Sequence, residues 1–261
     1  MADIVRKEMT WQGSRWSWFE MGSGPSMVLL HGGGGTGRAF SAQLRHFSRW
    51  YRVIAPDLPG FGRTEKIPEV RSVSDIAPVL LRWLLEIGVE SLILAGNSMG
   101  GRVALVAASE SPQRVSHLIL LAAVGVTLPD VPLGNPLALD PAHFMSGMVD
   151  DPERFRRITP YRSLEDAREL SAGRKTYAEY QAVSGIAETP GIDLDRLTMP
   201  TLLLWGGHDR IIPVDYGRAL NAALGQAYLV VLDDVGHLPH MEAPEDTNRA
   251  IELFLSNHPV S

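Results

Sequence analysis

Three residues of this chain have the types and order needed for nucleophilic catalysis: Ser98, Asp209 and His237. A serine hydroxyl is a weak nucleophile at neutral pH, so a base must take its proton and a carboxylate must orient that base. Ser98 stands in Gly96-Asn97-Ser98-Met99-Gly100, between the apolar run Leu92-Ile93-Leu94-Ala95 and a small-residue helical pattern reaching Ala108. Strand, sharp turn and helix are implied, with the serine at the apex in a strained backbone of positive φ. Such a turn crowds the positions two before and two after it, where Gly96 and Gly100 stand. The Met99 N–H, at the start of the helix, would then face the place where an oxyanion sits.

The base and its carboxylate come later in the chain. The run Pro200 to Trp205 reads as a buried strand and ends in Gly206-Gly207-His208-Asp209; Ala227 to Leu232 reads as another and ends in Asp233-Asp234-Val235-Gly236-His237. Ser98, Asp209 and His237 thus each follow the carboxyl end of a strand, the edge of an open parallel sheet where sites assemble. Gly236 suits a tight loop turn and favours His237 over His240, which reads as opening the last helical region. Asp233 and Asp234 follow their strand too directly to serve a histidine of the same loop, and read as turn or solvated residues.

His31-Gly32-Gly33-Gly34-Gly35 also follows an apolar run, Met27 to Leu30. Glycine lets backbone approach a ligand closely. A phosphate loop would need Gly-Lys-Ser/Thr, and no lysine follows. A dinucleotide site would use an acidic residue about 20 positions on; Asp57 is near that range but stands in the turn Asp57-Leu58-Pro59-Gly60-Phe61-Gly62. Neither nucleotide reading explains Ser98, Asp209 and His237. An oxyanion loop does, with a second N–H from Gly33 or Gly34 beside that of Met99; one such donor is worth about 10²–10³ in rate.

The elements that must position these residues alternate. Polar and apolar residues alternate over about the first twenty positions, as in a two-stranded hairpin. Strands are expected at Met27 to Leu30, Tyr51 to Ala55, Leu92 to Ala95, Val115 to Ala122, Pro200 to Trp205 and Ala227 to Leu232, with helices at Arg38 to Trp50 and Val73 to Ile87. This rhythm implies an α/β fold with a mostly parallel sheet wound by right-handed crossovers. It breaks between about Val124 and Thr198, where prolines separate charged helical fragments, among them Ser163 to Leu170 and Lys175 to Val183. That stretch is too long for a loop. It is expected to be a helical cap over residues 124–198, between core parts 1–123 and 199–261. Leu137, Phe144, Met145 and Met148 could line a cavity beneath it, though most are expected only to hold the cap together.

Composition sets outer limits. The chain has 261 residues, no cysteine, a net charge of −6, 45% hydrophobic and 21% charged residues. That is ordinary for a globular protein of this size. Without cysteine there is no disulfide or thiolate chemistry, which fits a reducing compartment. No basic patch suggests nucleic acid. The N-terminus is polar and unlike a signal peptide, and the longest apolar stretch, near Leu118 to Val126, is too short for a membrane span. The expectation is a cytoplasmic protein acting on a small molecule, with no nucleic-acid or membrane partner and no cofactor; a homodimer is allowed.

Together these motifs resemble the α/β-hydrolase superfamily. The residues concerned are His31 to Gly35, Asp57 to Gly62, Gly96 to Gly101, Trp205 to Pro213 and Gly236 to Pro244, which cover the chain from Met27 nearly to its end apart from the cap. The resemblance implies an eight-stranded, mostly parallel sheet flanked by helices, with a helical cap inserted after the sixth strand. It implies a triad of Ser98, Asp209 and His237, an oxyanion hole of Gly33, Gly34 and Met99, and substrate contacts from His31, Asn97, Arg174 and Leu238. Two branches are closest: capped esterases and lactonases, and hydrolases that cut carbon–carbon bonds in ring-fission products of aromatic catabolism. The second branch shares the Gly-Asn-Ser-Met-Gly-Gly turn and a cap arginine for a substrate carboxylate, which Gly173-Arg174-Lys175 resembles. It usually has tryptophan directly after the base, where this chain has Leu238, so ester or lactone hydrolysis ranks first and carbon–carbon hydrolysis second. A receptor that keeps the triad is the alternative from another class. Relatives that cut carbon–halogen or epoxide bonds use aspartate where Ser98 stands.

Overall fold

The computed structural model describes residues 4–128, 131, 133–138, 144–185 and 192–259. Its elements run β1 (Val5–Trp11), β2 (Ser14–Met21), β3 (Ser26–Leu30), α1 (Ser41–Phe47), β4 (Arg52–Pro56), α2 (Ile76–Glu86), β5 (Leu92–Asn97), α3 (Met99–Glu110) and β6 (Val115–Leu121). Then follow α4 (Phe144–Met148), α5 (Pro152–Ile158), α6 (Leu164–Ser184), β7 (Thr201–Gly206), α7 (Val214–Leu224), β8 (Ala227–Leu232), α8 (Pro239–Glu242) and α9 (Pro244–Asn257).

All eight strands form one sheet in the order β1-β2-β4-β3-β5-β6-β7-β8. β1 and β2 are the expected hairpin; the pairs β1–β2 and β2–β4 are antiparallel and the other five are parallel. β3 lies between β4 and β5, so the winding direction reverses there. The reversal leaves a crevice at the carboxyl ends of β3 and β5, where the Gly-rich loop and Ser98 begin.

Successive residues of the central strands enter two different cores. Val28, Leu30, Leu94, Leu120 and Leu203 face one core with α2, α3 and α7; Met27, Leu29, Ile93, Ile119 and Leu202 face the other with α1 and α9. A sheet covered on both faces needs apolar residues at both parities, which is why its strands read as continuous apolar runs rather than alternating ones.

Two expectations on helices need correction. The helix expected from Arg38 divides into a 3₁₀ turn, Gly37–Phe40, and the short α1. The chain entry is pinned: the Gly37 N–H donates to buried Asp57 at 2.9 Å, and a Cβ at Gly37 would stand 2.1 Å from the Ala55 carbonyl oxygen. The two fragments expected between 163 and 183 are one helix, α6, opened by a capping box of Ser163 and Asp166. It runs through Gly173, whose cost in a helix is about 1 kcal/mol, because the missing side chain lets α6 lie against the Gly-rich loop. A Cβ there would meet Phe61 at 3.1 Å and the Gly34 backbone at 3.2–3.3 Å. Ion pairs tie α6 to the core: Arg38–Asp166 at 3.1 Å, Arg6–Glu169 at 3.0 Å, Arg63–Glu165 and Lys66–Glu179. Among the described residues, no helix is long and apolar enough to cross a membrane.

Candidate active site

Ser98 ends β5 and starts α3 with φ 53° and ψ −115°. Its own N–H is held by the Leu121 carbonyl at 3.0 Å. The crowding expected around it is present. A Cβ at Gly96 would lie 2.3 Å from the Gly100 carbonyl oxygen, and one at Gly100 would lie 2.2 Å from that of Leu30. No side chain fits at either place, so the serine is forced to the tip of the turn.

Asp209 and His237 meet across the loops after β7 and β8. The His237 Nδ1 lies 2.8 Å from Asp209 Oδ2, both side chains fully buried. The other carboxylate oxygen, Oδ1, accepts the N–H groups of Ile211 and Ile212, each at 2.8 Å. With its proton on Nδ1 facing Asp209, the imidazole presents a bare Nε2.

The loop carrying His237 is held on every side. Its N–H donates to the Met148 carbonyl at 2.8 Å, and its carbonyl accepts from Asn97 Nδ2 at 3.2 Å. Glu242 accepts from the N–H groups on both sides of His237, those of Gly236 at 3.1 Å and Leu238 at 3.0 Å, and from Asp150 at 2.8 Å. Burial raises the Glu242 pKa above its ordinary value. Glu242 and Met148 escaped the sequence reading. A carboxylate five residues past the histidine, in a short segment after it, was the available signal for the first; a backbone carbonyl leaves none for the second. Asn97 borders the cavity, but its amide nitrogen serves the Leu121 and His237 carbonyls, tying the serine strand to the histidine loop.

The Gly-rich loop closes as a turn with the Gly35 N–H bonded to the Gly32 carbonyl at 3.0 Å and Gly34 at φ +78°, a conformation that suits glycine. Gly33 and Gly34 both border the cavity. Tyr177 covers Gly33, and the Arg174 side chain crosses Gly34. Met99 lies at the first position of α3 with its side chain in the core. His31 differs from the expected substrate contact. It is fully buried behind the loop, with Nδ1 2.8 Å from the Gly32 carbonyl and Nε2 accepting the Leu58 N–H at 3.0 Å. Both nitrogens are engaged by backbone, burial lowers its pKa, and it shapes the loop rather than bordering the cavity.

Ser98, His237 and the glycines open on one cavity of about 250 Å³. Its wall includes Leu137, Met145, Met148, Phe155 and Leu170 from the segment between β6 and β7, with Leu238 and Met241 from the histidine loop. Met145, Met148 and Leu137 therefore face the cavity rather than serving only as packing; the Phe144 side chain lies outside the described residues. Arg174 also borders it, part of its surface in solvent, with desolvation lowering its guanidinium pKa. Asp233 and Asp234 take no part; Asp234 is an exposed turn residue at φ 52°. Among the described residues, no cluster of three His, Cys, Asp or Glu could hold a metal.

Comparisons with known proteins follow the same lines. The chain is 31% identical over 264 residues to the dihydrolipoyllysine-residue acetyltransferase component of an acetoin cleaving system from Pseudomonas putida, covering 92% of this chain and 66% of that one. It is 30% identical over 256 residues to a 2-hydroxy-6-oxononadienedioate/2-hydroxy-6-oxononatrienedioate hydrolase of Cupriavidus pinatubonensis, covering 89% of this chain and 87% of the other. The structure of a thermophilic esterase from Thermogutta terrifontis with malate bound superposes with a TM-score of 0.77 at 26% identity, covering 98% of this chain and 100% of that one. A family model described as alpha/beta hydrolase matches residues 27–250. The chain belongs to the α/β-hydrolase family and is an enzyme of the hydrolase class.

Proposed function

We propose that this enzyme hydrolyses small carboxylic esters or lactones through an acyl-enzyme on Ser98. One observation carries the reading: a serine held at positive φ and a buried Asp209–His237 pair open on the same cavity. The Ser98 Oγ attacks the carbonyl carbon while His237 Nε2 takes its proton. The negative charge on the former carbonyl oxygen is met by backbone N–H groups of Met99 and of Gly33 or Gly34. Collapse breaks the bond to the alcohol, which leaves with the proton from His237. A water then gives a proton to the same nitrogen and attacks the acyl carbon; collapse breaks the bond to the Ser98 Oγ, which takes that proton back as the acid leaves. Asp209 keeps the imidazole in the required tautomer and faces the imidazolium as it forms. The helices between β6 and β7 act as a cap that excludes bulk water.

A second reading, cleavage of a carbon–carbon bond in a vinylogous diketone, is favoured by Arg174 on the cavity wall and by the dienedioate hydrolase relative. It ranks second because Leu238 borders the cavity directly after the base. The test is labelling by a fluorophosphonate combined with turnover of p-nitrophenyl acetate. Many turnovers, with the label on Ser98, support the enzyme reading. About one turnover or none indicates a receptor-like protein and overturns it.

A further inference from the structure

His240 is a histidine at a place where packing alone would favour leucine. It lies on α8 three residues past His237, 1% exposed, its ring stacked on Phe40 with centroids 4.5 Å apart. His240 is one of the residues that line the cavity. Its Nδ1 is sealed from solvent and has no hydrogen-bond partner among the described residues.

A neutral imidazole carries one N–H and one bare nitrogen. A sealed N–H with no acceptor is the rarer orphan in proteins, so the bare nitrogen belongs at Nδ1 and the hydrogen at Nε2. Three other polar side chains on the wall serve protein partners. Tyr161 is bonded to Thr36 at 3.2 Å, Tyr177 accepts from Gln181, and Asn97 donates to two carbonyls. Burial and the nearby His237 push the His240 pKa down to about 3, so the ring stays an uncharged donor at any ordinary working pH. A polar group kept without a partner in a wall of Met145, Met148, Phe155, Leu238 and Met241 is costly to the fold. The sealed Nδ1 is out of a ligand's reach, whereas Nε2 is not among the sealed atoms, so the share of that cost that falls on the Nε2–H is offset when a bound molecule supplies an acceptor.

We propose that His240 is a specificity residue whose Nε2–H donates to a substrate oxygen outside the bond that is cut. The preferred ester or lactone then carries an ether, keto or hydroxyl oxygen at one definite distance from its carbonyl, and the plain hydrocarbon analogue is discriminated against. This rests on the serine-hydrolase reading of the same cavity.

The test is a panel of esters in which an ether oxygen replaces one methylene at successive positions on either side of the ester group. The readout is the ratio of kcat/KM for each oxygen ester to that of its methylene counterpart. In the wild type, one position should give a ratio of about ten or more, since a site built to bond an oxygen rejects the analogue lacking it. His240→Leu should bring that ratio to about one or below, whereas His240→Gln, which can still donate, should keep part of it. If the leucine variant does not fold, His240→Asn, too short to reach, replaces it. Flat ratios in the wild type, or equal losses on both members of every pair in the variants, overturn the proposal. Fluorophosphonate labelling of Ser98 separates the two failures: a labelled serine with flat ratios sinks this proposal alone, and an unlabelled serine with no turnover sinks the serine-hydrolase reading and this proposal with it.

Discussion

Tyr177 lies so close over Gly33 that a Cβ added to the glycine would meet three atoms of its ring at 2.6 Å. One residue is on the loop after β3 and the other on α6, 144 positions later in the chain (177 − 33). The loop proposed to bind the oxyanion is thus pressed into shape by the segment between β6 and β7. Substituting Gly33 by alanine should force the ring or the loop to move. We expect kcat to fall by about 10²–10³, the range for losing one oxyanion donor. Pairing Gly33→Ala with Tyr177→Ala should recover part of the loss, read by steady-state kinetics on one ester. No recovery would mean the glycine is needed for its backbone alone.

Ser98→Ala should abolish fluorophosphonate labelling and lower turnover by about 10⁵–10⁶, as for members of a catalytic unit. Ser98→Gly should be equally inactive but more stable, because a strained non-glycine conformation costs on the order of 1–3 kcal/mol. Thermal melts of the three proteins check this, and a glycine variant that melts below the wild type would contradict the strain.

Substitution of His237 by alanine should be nearly as damaging as Ser98→Ala, and the double variant little worse than either. His240→Ala should cost far less on p-nitrophenyl acetate. Single-turnover kinetics decide the ranking, and the reverse order would move the base three residues along the chain.

Acid should weaken the wild type through His240. Its pKa in the fold is about 3, against an ordinary 6.5. Above the ordinary value both the folded and the unfolded ring are neutral, and the stability of the neutral folded form is fully present. As pH falls below it, the unfolded chain takes a proton that the folded chain does not, so stability drops until the folded pKa is reached. Relative to His240→Gln, the wild type should lose up to about 2 kcal/mol between about pH 7 and pH 5. Urea unfolding at both pH values measures the difference. Parallel losses in the two proteins would assign the effect to other groups, such as buried His31.

Arg174 separates the two hydrolase branches. If a dienoate carboxylate is the natural partner, Arg174→Ala should cut activity on it by roughly 30-fold or more, since a desolvated charged contact is worth about 2–5 kcal/mol. We expect instead that dienoates are poor substrates of the wild type and that the substitution changes ester hydrolysis little. Wild-type cleavage of a vinylogous 1,5-diketone faster than of every ester tried would reverse the order.

Much of the site was legible in the sequence because its demands are local. A strand that turns sharply into a helix needs glycine at 96 and 100 whatever else the protein contains, and the run from Leu92 to Ala95 marks its strand. Strands buried on both faces spell themselves as apolar runs, so β3, β5, β6 and β7 could be placed within a residue or two. The order of Ser98, Asp209 and His237 along the chain brought them to one sheet edge without any coordinates. Long-range packing decided the rest, because the residues involved carry no local signature. Gly173 looks like a helix breaker until Gly34 and Phe61 occupy the space its side chain would need. His31 looks like a ligand until Gly32 and Leu58 take both of its nitrogens. Glu242 looks like one more surface carboxylate until three backbone N–H groups around His237 converge on it. His240 looks like a helix-opening residue, and only the packed wall reveals a buried ring whose Nδ1 has no hydrogen-bond partner among the described residues.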